Sequence, residues 1–454
     1  MPTWPVFPIS YTTRRYLLVA AVVALGLATP GLLLAQETAR PQLESAPAAR
    51  TQDFGPLFDA VVEKIGKHFW DKDRLTAVGW DKRAAEARPN VIEAPTLDEA
   101  ARRINVLLGE LRMSHTGLLT PDDVDYYVLM AVFGGASMPQ DEFDGRFWGA
   151  GVTYAGIGHF STVIDGRHFV DAVLEGSSAA RAGLKLGDEI VDVDGAPYHP
   201  IRSFKRKVGR QARVIIRRVQ DGPTQKIPIK VMSIAPLHAF RDATRASARV
   251  IERDGRRIGY VHVWASVGDD SANALRDALS TLGVNTGGRV EQPPPLDGLI
   301  VDMRGKIGGT APTAGRYLDL LDPRGPLLGS RESSRASRAL RGRTAVLIDH
   351  RTRSTGELFV HSYKRERQGP LIGTRTAGAV SAASAYALPG GNLLYVAVSG
   401  LEVDGEVLEG PGVAPDIEVE RPIPYAQGAD PVLERAVDVL VNKAKVRSAP
   451  ASSN

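Results

Sequence analysis

Apolar residues recur at helical spacing through the first part of the chain, from about residue 54 to residue 133. The clearest stretch begins at Thr96, where Glu99 follows three residues later in a capping-box pattern. The spacing predicts a helix that ends just before the pair Ser114-His115. Its buried face is expected to carry Leu97, Ala101, Ile104, Leu107, Leu108 and Leu111.

The periodicity changes twice further along the chain. Short strands separated by glycines occupy residues 148–156, 168–198 and 213–219, which predicts a β-domain over about 145–235. From residue 257 strands and helices alternate, which indicates an α/β domain over about 240–425. The predicted fold is therefore α/β and multidomain, with an N-terminal helical domain at 53–140 and a short C-terminal helix and tail at 426–454.

The first residues have the composition of an export segment. Arg14 and Arg15 precede the uncharged apolar run 16–35, and Ala35 stands at a plausible cleavage point. The run is about long enough to span a bilayer if it is retained. We therefore expect a signal peptide or membrane anchor at 1–35, a linker at 36–52, and a protein exported to the periplasm or cell envelope.

Composition excludes several kinds of chemistry. The 454 residues include no cysteine, so disulfides, thiol catalysis and cysteine-ligated zinc are excluded. The formal net charge of +4 comes from 56 basic and 52 acidic residues and contains no basic block, so nucleic-acid binding has little support. No metal or other cofactor is expected.

Ser354 is the leading candidate nucleophile. It follows a buried-type strand and begins a helical pattern, a placement that presents a serine hydroxyl at a sharp turn. The amide of Thr355 and those of Gly308 and Gly309, in the loop after the neighbouring strand, are candidate donors to an oxyanion. A purely structural interpretation is also available, in which Ser354 is a helix N-cap and the glycines form a tight turn.

Three motifs in order give the chain its family resemblance. LIVDMRGKIGGTA (299–311), LIDHRTRSTGELF (347–359) and VDGEVLEGPGVAPDIEVE (403–420) resemble segments of the serine peptidases that include the carboxyl-terminal processing proteases and the tricorn protease core. The resemblance extends over about 54–420. It implies an α/β core of the ClpP/crotonase type, with Ser354 as the nucleophile.

The β-domain resembles a PDZ domain. Gly149, Ala150, Gly151 and Val152 are similar to the loop that receives a peptide's terminal carboxylate, and AGLKLGDEI (182–190) follows in the expected order. This resemblance implies protein or peptide partners bound through C-terminal or extended segments by β-augmentation. The alternative is a small β-domain that binds nothing.

The resemblance also bears on the general base. Processing proteases have a lysine where this chain has Ala379, so a lysine base does not carry over. GELRMSH (109–115) resembles the tricorn-type pattern, which implies His115 as base, Ser114 as the residue that orients it and Glu409 as the acidic partner behind them. His350, close before the nucleophile, remains an alternative base.

The leading hypothesis is a serine endopeptidase of the cell envelope that cleaves unfolded or C-terminally recognised proteins. The alternative is a catalytically inactive peptide-binding protein of the same fold. A nucleotide-binding role for the glycine loop is disfavoured, because the full P-loop pattern is absent.

Overall fold

A computed structural model describes most of the chain after residue 52. The described residues are 53–133, 151–284, 294–305, 307–309, 313, 316–317 and 342–448. The predicted signal or anchor segment, the linker, Gly149 and Ala150 lie outside them. None of the helices in these ranges is both long and apolar enough to cross a bilayer.

The N-terminal segment is helical, as predicted. Its elements are α1 (Gly55–His68), α2 (Lys72–Val78), α3 (Trp80–Ile92), α4 (Leu97–Gly109), β1 (Gly117–Leu119) and α5 (Val124–Phe133). The predicted cap of α4 is confirmed, because the Glu99 amide donates to the Thr96 hydroxyl at 3.2 Å. The helix ends at Gly109, so a turn separates it from Ser114 and His115.

The middle of the chain is a β-rich region. Its elements are β2 (Tyr154–Gly156), β3 (His159–Ile164), β4 (Arg167–Val173), α6 (Ser178–Arg181), β5 (Glu189–Val193), β6 (Ala196–Pro197), β7 (Gln211–Arg217), β8 (Thr224–Lys230) and β9 (Met232–Ile234). Strands β3, β4, β5, β7 and β8 form an antiparallel sheet in that order, β6 pairs with β5, and β2 pairs with β9. The predicted strands are therefore present, whereas the bounds of this region as a domain and its PDZ character stay predictions.

The remaining elements build the α/β core. They are α7 (Pro236–Ser247), β10 (Arg249–Arg253), β11 (Arg256–His262), α8 (Gly268–Thr281), β12 (Gly298–Asp302), β13 (Thr344–Ile348), α9 (Thr355–Arg365), β14 (Leu371–Gly373), β15 (Ala382–Leu388), a 3₁₀ turn (Pro389–Gly391), β16 (Asn392–Ser399), β17 (Glu402–Val403), β18 (Glu406–Val407), β19 (Ile417–Glu418) and α10 (Pro431–Ser448). A sheet of six strands has the order β10-β11-β12-β13-β14-β19. All its pairings are parallel except that of β10 with β11.

Both faces of this sheet are covered by helices, which explains why β12 and β13 are buried along their whole length. Helices α8 and α9 pack on one face. Helix α10 packs on the other, where Val437 and Leu440 meet alternate residues of the strands. The prediction of a short C-terminal helix is therefore wrong in length, because α10 has 18 residues and closes the core.

Strand pairing joins the N-terminal segment to the core. Strand β1 lies antiparallel to β16, with Gly117 opposite Tyr395, and β16 pairs in turn with β15. Asn105 of α4 fastens β1 by two hydrogen bonds to the backbone of Leu118, at 2.7 and 2.9 Å. Since His115 stands two residues before β1, this pairing brings it to the core.

Candidate active site

Ser354 adopts a backbone conformation that few residues with a side chain tolerate. Its φ is 54° and its ψ is −125°, in the turn between β13 and α9. Such a conformation costs on the order of 1–3 kcal/mol and persists only where surrounding contacts impose it. The predicted sharp turn that presents the serine hydroxyl is therefore present.

Hydrogen bonds on both sides hold this turn. The Ser354 amide donates to the carbonyl of Ala379 at 2.7 Å. On the upstream side, Oδ1 of Asp349 accepts from the amides of Arg351 and Thr352 at 3.0 and 3.1 Å. The same oxygen accepts from the amide of Gly305 at 3.1 Å. Asp349 thus ties the nucleophile turn to the glycine loop, a role that the sequence analysis missed.

The glycine loop passes directly beside the nucleophile. A β-carbon built on Gly308, whose φ is 93°, would lie 2.9 Å from the Cβ of Ser354. One built on Gly309 would lie 1.9 Å from the carbonyl oxygen of Ser266. Both positions therefore require glycine. Thr355 begins α9 next to them, so the three residues predicted to form the oxyanion hole lie together, and their role as donors stays a prediction.

The predicted relay behind the base is assembled. Oγ of Ser114 lies 2.8 Å from Nδ1 of His115. The Ser114 amide donates to Oε1 of Glu409 at 3.0 Å. Oε2 of Glu409 accepts from the amides of Val380 and Ser381, each at 2.9 Å. These contacts join the turn after α4, the loop after β18 and the segment before β15.

His115 is buried, with 5% of its surface exposed. Burial, with the positive charge of Arg353, lowers the pKa of His115 to about 4, although the negative charge of Glu409 acts in the opposite direction. Burial also acts to raise the pKa of Glu409, but hydrogen bonds from Ser114, Ser381 and Val380 bring it below its usual value. At neutral pH the site therefore combines a neutral imidazole with an ionised carboxylate.

His115 and Ser354 line the same cavity, whose volume is about 380 Å³. Gly309, Thr355 and Arg353 line it as well. In the described part of the chain no hydrogen bond joins the imidazole to the Ser354 hydroxyl. Catalytic hydrogen bonds of this kind are often long without substrate and tighten when it binds.

The other positions at which a base could stand do not line this cavity. One of them, where processing proteases have lysine, is Ala379. Ala379 is buried and holds the backbone of Ser354. Lys364 of α9 donates to the carbonyl of Ala414 at 2.7 Å and pairs with Asp416 at 3.2 Å. His350 is exposed and does not line the cavity. Of these residues and His115, only His115 lines the cavity together with Ser354 in the described part of the chain.

The predicted peptide-binding loop is described only in part. Gly151 is exposed, whereas Val152 is 6% exposed and packs among Tyr126, Met130 and other apolar side chains. The Val152 side chain therefore belongs to a hydrophobic cluster and is not exposed to a peptide. Peptide binding by this loop stays a prediction.

Glu357 is a second residue whose role the sequence analysis missed. It is fully buried on α9 and accepts from the amides of Gly378 and Ala379 at 2.7 and 2.6 Å, and from the Thr376 hydroxyl at 2.6 Å. It therefore fixes the segment whose carbonyl holds Ser354. An acidic residue amid the apolar pattern of α9 was the available signal, since buried charges require partners.

A second polar group of side chains, here called the buried ion cluster, consists of Glu175, His262, Asp302, Arg304 and Asp430. Arg304 pairs with Asp302 and with Asp430, each at 2.6 Å. His262 contacts Oε1 of Glu175 through Nδ1 and the Arg304 carbonyl through Nε2, each at 2.9 Å. Burial acts to lower the pKa of His262, but Asp302 and Glu175 raise it to about 9.

Comparison with known proteins agrees with the motifs. Residues 257–419 match the model described as peptidase family S41. Two tricorn protease homologs of Streptomyces coelicolor are 27% and 26% identical over 420 and 406 residues, which are 87% and 84% of this chain but 32% and 34% of theirs. The carboxy-terminal processing protease CtpA of Bacillus subtilis is 26% identical over 289 residues, 60% of this chain and 58% of that one.

Among solved structures, the photosystem II D1 C-terminal processing protease aligns with 83% of this chain and 98% of its own, at 19% identity and a TM-score of 0.46. The chain thus spans between about a third and three fifths of the length of the curated relatives named above. The resemblance predicted from the motifs is confirmed by the family match over the core.

Proposed function

We propose that this chain, whose residues 257–419 match peptidase family S41, is a serine endopeptidase with Ser354 as nucleophile and His115 as general base. The observation that carries the proposal is the convergence of two distant segments on one cavity. A strained serine turn lies on one side, and a histidine backed by Ser114 and Glu409 lies on the other.

The chemistry follows from this geometry. His115 takes the proton of the Ser354 hydroxyl while the serine oxygen attacks the substrate carbonyl carbon. The amides of the glycine loop and of Thr355 stabilise the negative charge that develops on the carbonyl oxygen. His115 then gives the proton to the leaving amine, the C–N bond breaks, and water hydrolyses the acyl-enzyme by the same steps.

The interposed hydroxyl sets the tautomer. When Nδ1–H of His115 donates to Oγ of Ser114, and the Ser114 hydroxyl in turn donates to Glu409 beside the bond from the Ser114 amide, Nε2 is left with a free lone pair. Glu409 then stabilises the imidazolium that forms during attack. Its carboxylate stays ionised, because three backbone amides donate to it.

A fluorophosphonate probe tests the nucleophile. It is expected to label the wild-type protein at Ser354, and Ser354→Ala is expected to abolish labelling. Turnover of an unstructured protein substrate is expected to fall by about 10⁴-fold or more in His115→Ala, because the base acts as a unit with the nucleophile.

His350→Ala is the matched control, since His350 is exposed and lies outside the cavity lining. It is expected to retain activity, and a reversed result for the two histidines would identify His350 as the base. Equal labelling of wild type and Ser354→Ala, without turnover, would instead favour an inactive peptide-binding protein, the alternative that Ala379 in the lysine position keeps open.

Substrate class and location complete the proposal. Capture of unfolded or C-terminal segments by the β-rich region is supported by the motif at 182–190 and by the name of the processing protease to which the chain is similar. Export to the cell envelope, with or without a retained anchor, is supported by Arg14, Arg15 and the apolar run that follows. Fractionation of cells that express the chain with and without residues 1–35 tests the location.

A further inference from the structure

Two arginines precede the nucleophile, and they differ in what their side chains contact. Arg351 pairs with Asp171 of β4, and its guanidinium lies 5.4 Å from the centre of the Phe160 ring. Arg353 is exposed and lines the cavity beside Ser354. Within the described ranges its guanidinium has neither an ion pair nor a hydrogen bond. One arginine thus holds the β-rich region, and the other is available to a ligand.

The rest of the cavity makes Arg353 distinctive. Much of the wall is apolar, with contributions from α5 and α9 that include Val128, Val132 and Leu358. The acidic side chain among the described lining residues is Asp125, whose charge acts on Arg351. A guanidinium is planar and matches a carboxylate with two parallel N–H donors. The cavity therefore offers, beside the proposed nucleophile, a cation without an ion pair among the described residues.

We propose that Arg353 selects substrates that place a carboxylate beside the bond to be cleaved. The carboxylate comes either from an Asp or Glu side chain or from the terminus of a peptide cut close to its end. The inference rests on the proposed peptidase function, and it adds a substrate preference that the family motifs do not contain.

A substrate carboxylate bound to Arg353 also affects the general base, His115. His115 faces Arg353, Glu409 and Tyr395 in addition to its neighbour Ser114. After burial, Arg353 is the strongest influence that lowers the pKa of His115. A substrate carboxylate on Arg353 offsets that positive charge, so the pKa of His115 rises in the complex. The imidazole then becomes a stronger base when the matching substrate is bound.

Matched peptide pairs measure the preference. In one pair a Glu next to the cleaved bond is replaced by Gln, and in the other the terminal carboxylate is replaced by an amide. Wild type is expected to favour the charged member of at least one pair by about fivefold in kcat/KM, the upper effect of an exposed ion pair. Arg353→Gln is expected to lose this preference and Arg353→Lys to keep part of it. The pair that responds identifies the source of the carboxylate.

Arg435→Gln is the control, because Arg435 is an exposed arginine of α10 outside this cavity.

The pH profiles of the reaction give a second readout, which a purely structural role of Arg353 would not change. With the preferred substrate, the acid limb of kcat, which reports the bound enzyme, is expected at higher pH than that of kcat/KM, which reports the free enzyme. Arg353→Gln is expected to bring the two limbs together.

The outcomes distinguish the carboxylate preference of Arg353 from the peptidase function on which it rests. Ser354 labelled by the probe, with equal rates for both members of both pairs, overturns the carboxylate preference alone. A preference that persists unchanged in Arg353→Gln also overturns it. Absence of labelling overturns the peptidase function and this inference together. Melting curves of Arg353→Gln and Arg435→Gln that match wild type show that the folds are intact.

Discussion

Two buried histidines of this protein stand near carboxylates and yet have opposite protonation behaviour. His115 has a pKa of about 4, and His262 has one of about 9. Both are removed from solvent, and burial acts to lower the pKa of each. The difference therefore comes from the charges and hydrogen bonds around the two rings.

The two histidines differ in the group that bonds directly to Nδ1 of the ring. Glu175 lies 2.9 Å from Nδ1 of His262, and the carboxylate of Asp302 adds a second negative charge. At His115 the group bonded to Nδ1 is the hydroxyl of Ser114, Glu409 bonds to Ser114 rather than to the ring, and Arg353 adds a positive charge. The first arrangement stabilises an imidazolium in the resting protein. The second keeps the ring neutral until it receives a proton.

This contrast explains how serine can stand where other hydrolases have aspartate. A carboxylate bonded directly to a buried imidazole can hold a proton on it, as in the buried ion cluster, and a protonated ring cannot act as a base. One intervening hydroxyl still orients the ring through Nδ1 while it moves the negative charge one group further away. The relay therefore keeps the base neutral and still stabilises the imidazolium that forms during catalysis.

Among the substitutions that test the comparison of the two histidines, the largest effect is expected from Glu409→Gln, which removes the charge behind Ser114 and preserves the shape of the side chain. Activity is expected to fall by about 10³-fold, since the substitution removes the charge that stabilises the imidazolium, and loss of the comparable carboxylate in an aspartate triad costs about 10⁴-fold. Steady-state kinetics on the unstructured substrate measures the loss.

Glu402→Gln serves as its control, because Glu402 is an exposed glutamate of β17 and does not line the cavity. Labelling of Ser354 by the fluorophosphonate should slow in Glu409→Gln in parallel with turnover. A variant with wild-type activity would mean that Glu409 only anchors the backbone amides of Val380 and Ser381.

An intermediate effect, on stability rather than activity, is expected from His262→Gln. The pKa of about 9 for His262 in the folded protein lies above the ordinary value of 6.5. The proton bound to His262 therefore stabilises the native state, and this stabilisation is fully present below pH 6.5. That stabilisation is lost as pH rises through about 9. The free energy of unfolding in urea should therefore differ between wild type and variant by about 3 kcal/mol more at pH 6 than at pH 10.

His159→Gln is the matched control for a buried imidazole. Burial lowers the pKa of His159 to about 4, so that ring stays neutral from pH 6 to pH 10. Because the unfolded chain still binds a proton with the ordinary pKa of 6.5, substitution of His159 is expected to cost about 1 kcal/mol less at pH 6 than at pH 10, the opposite sign to His262→Gln. A cost for His262→Gln that is no larger at pH 6 than at pH 10 would contradict the raised pKa of His262.

The sequence was sufficient to predict elements with a strong local pattern. The capping box Thr96–Glu99, the buried face of α4 and the turn at Ser354 rest on residues close together in the chain, and the structure contains all three. The length of helix α10 was underestimated, although Val437 and Leu440 have the spacing of a buried face.

Local sequence patterns could not predict contacts between segments that are distant in the chain. The pairing of β1 with β16, which brings His115 to the core, joins Gly117 to Tyr395, and only the family resemblance predicted that meeting. The acidic residue Glu357 within the apolar pattern of α9 indicated a buried charge, but its partners and those of Asp349 could not be predicted, because most of them are backbone amides, which every residue except proline carries. The buried ion cluster likewise draws residues from the β-rich region, the core strands and the start of α10.

The smallest effect is the position of the acid limb in the wild-type pH profile. Because His115 acts as a base only when deprotonated, kcat/KM should remain near its maximum down to about pH 5 and fall with an apparent pKa of about 4. Burial and the positive charge of Arg353 lower this value and the negative charge of Glu409 opposes them, while Tyr395 packs against the ring without a charge. Circular dichroism at each pH separates loss of the base from unfolding. A limb between pH 6 and 7 in a folded protein would mean that the ring is solvated during turnover or that another histidine is the base, and the contrast with His262 would then no longer describe the working site.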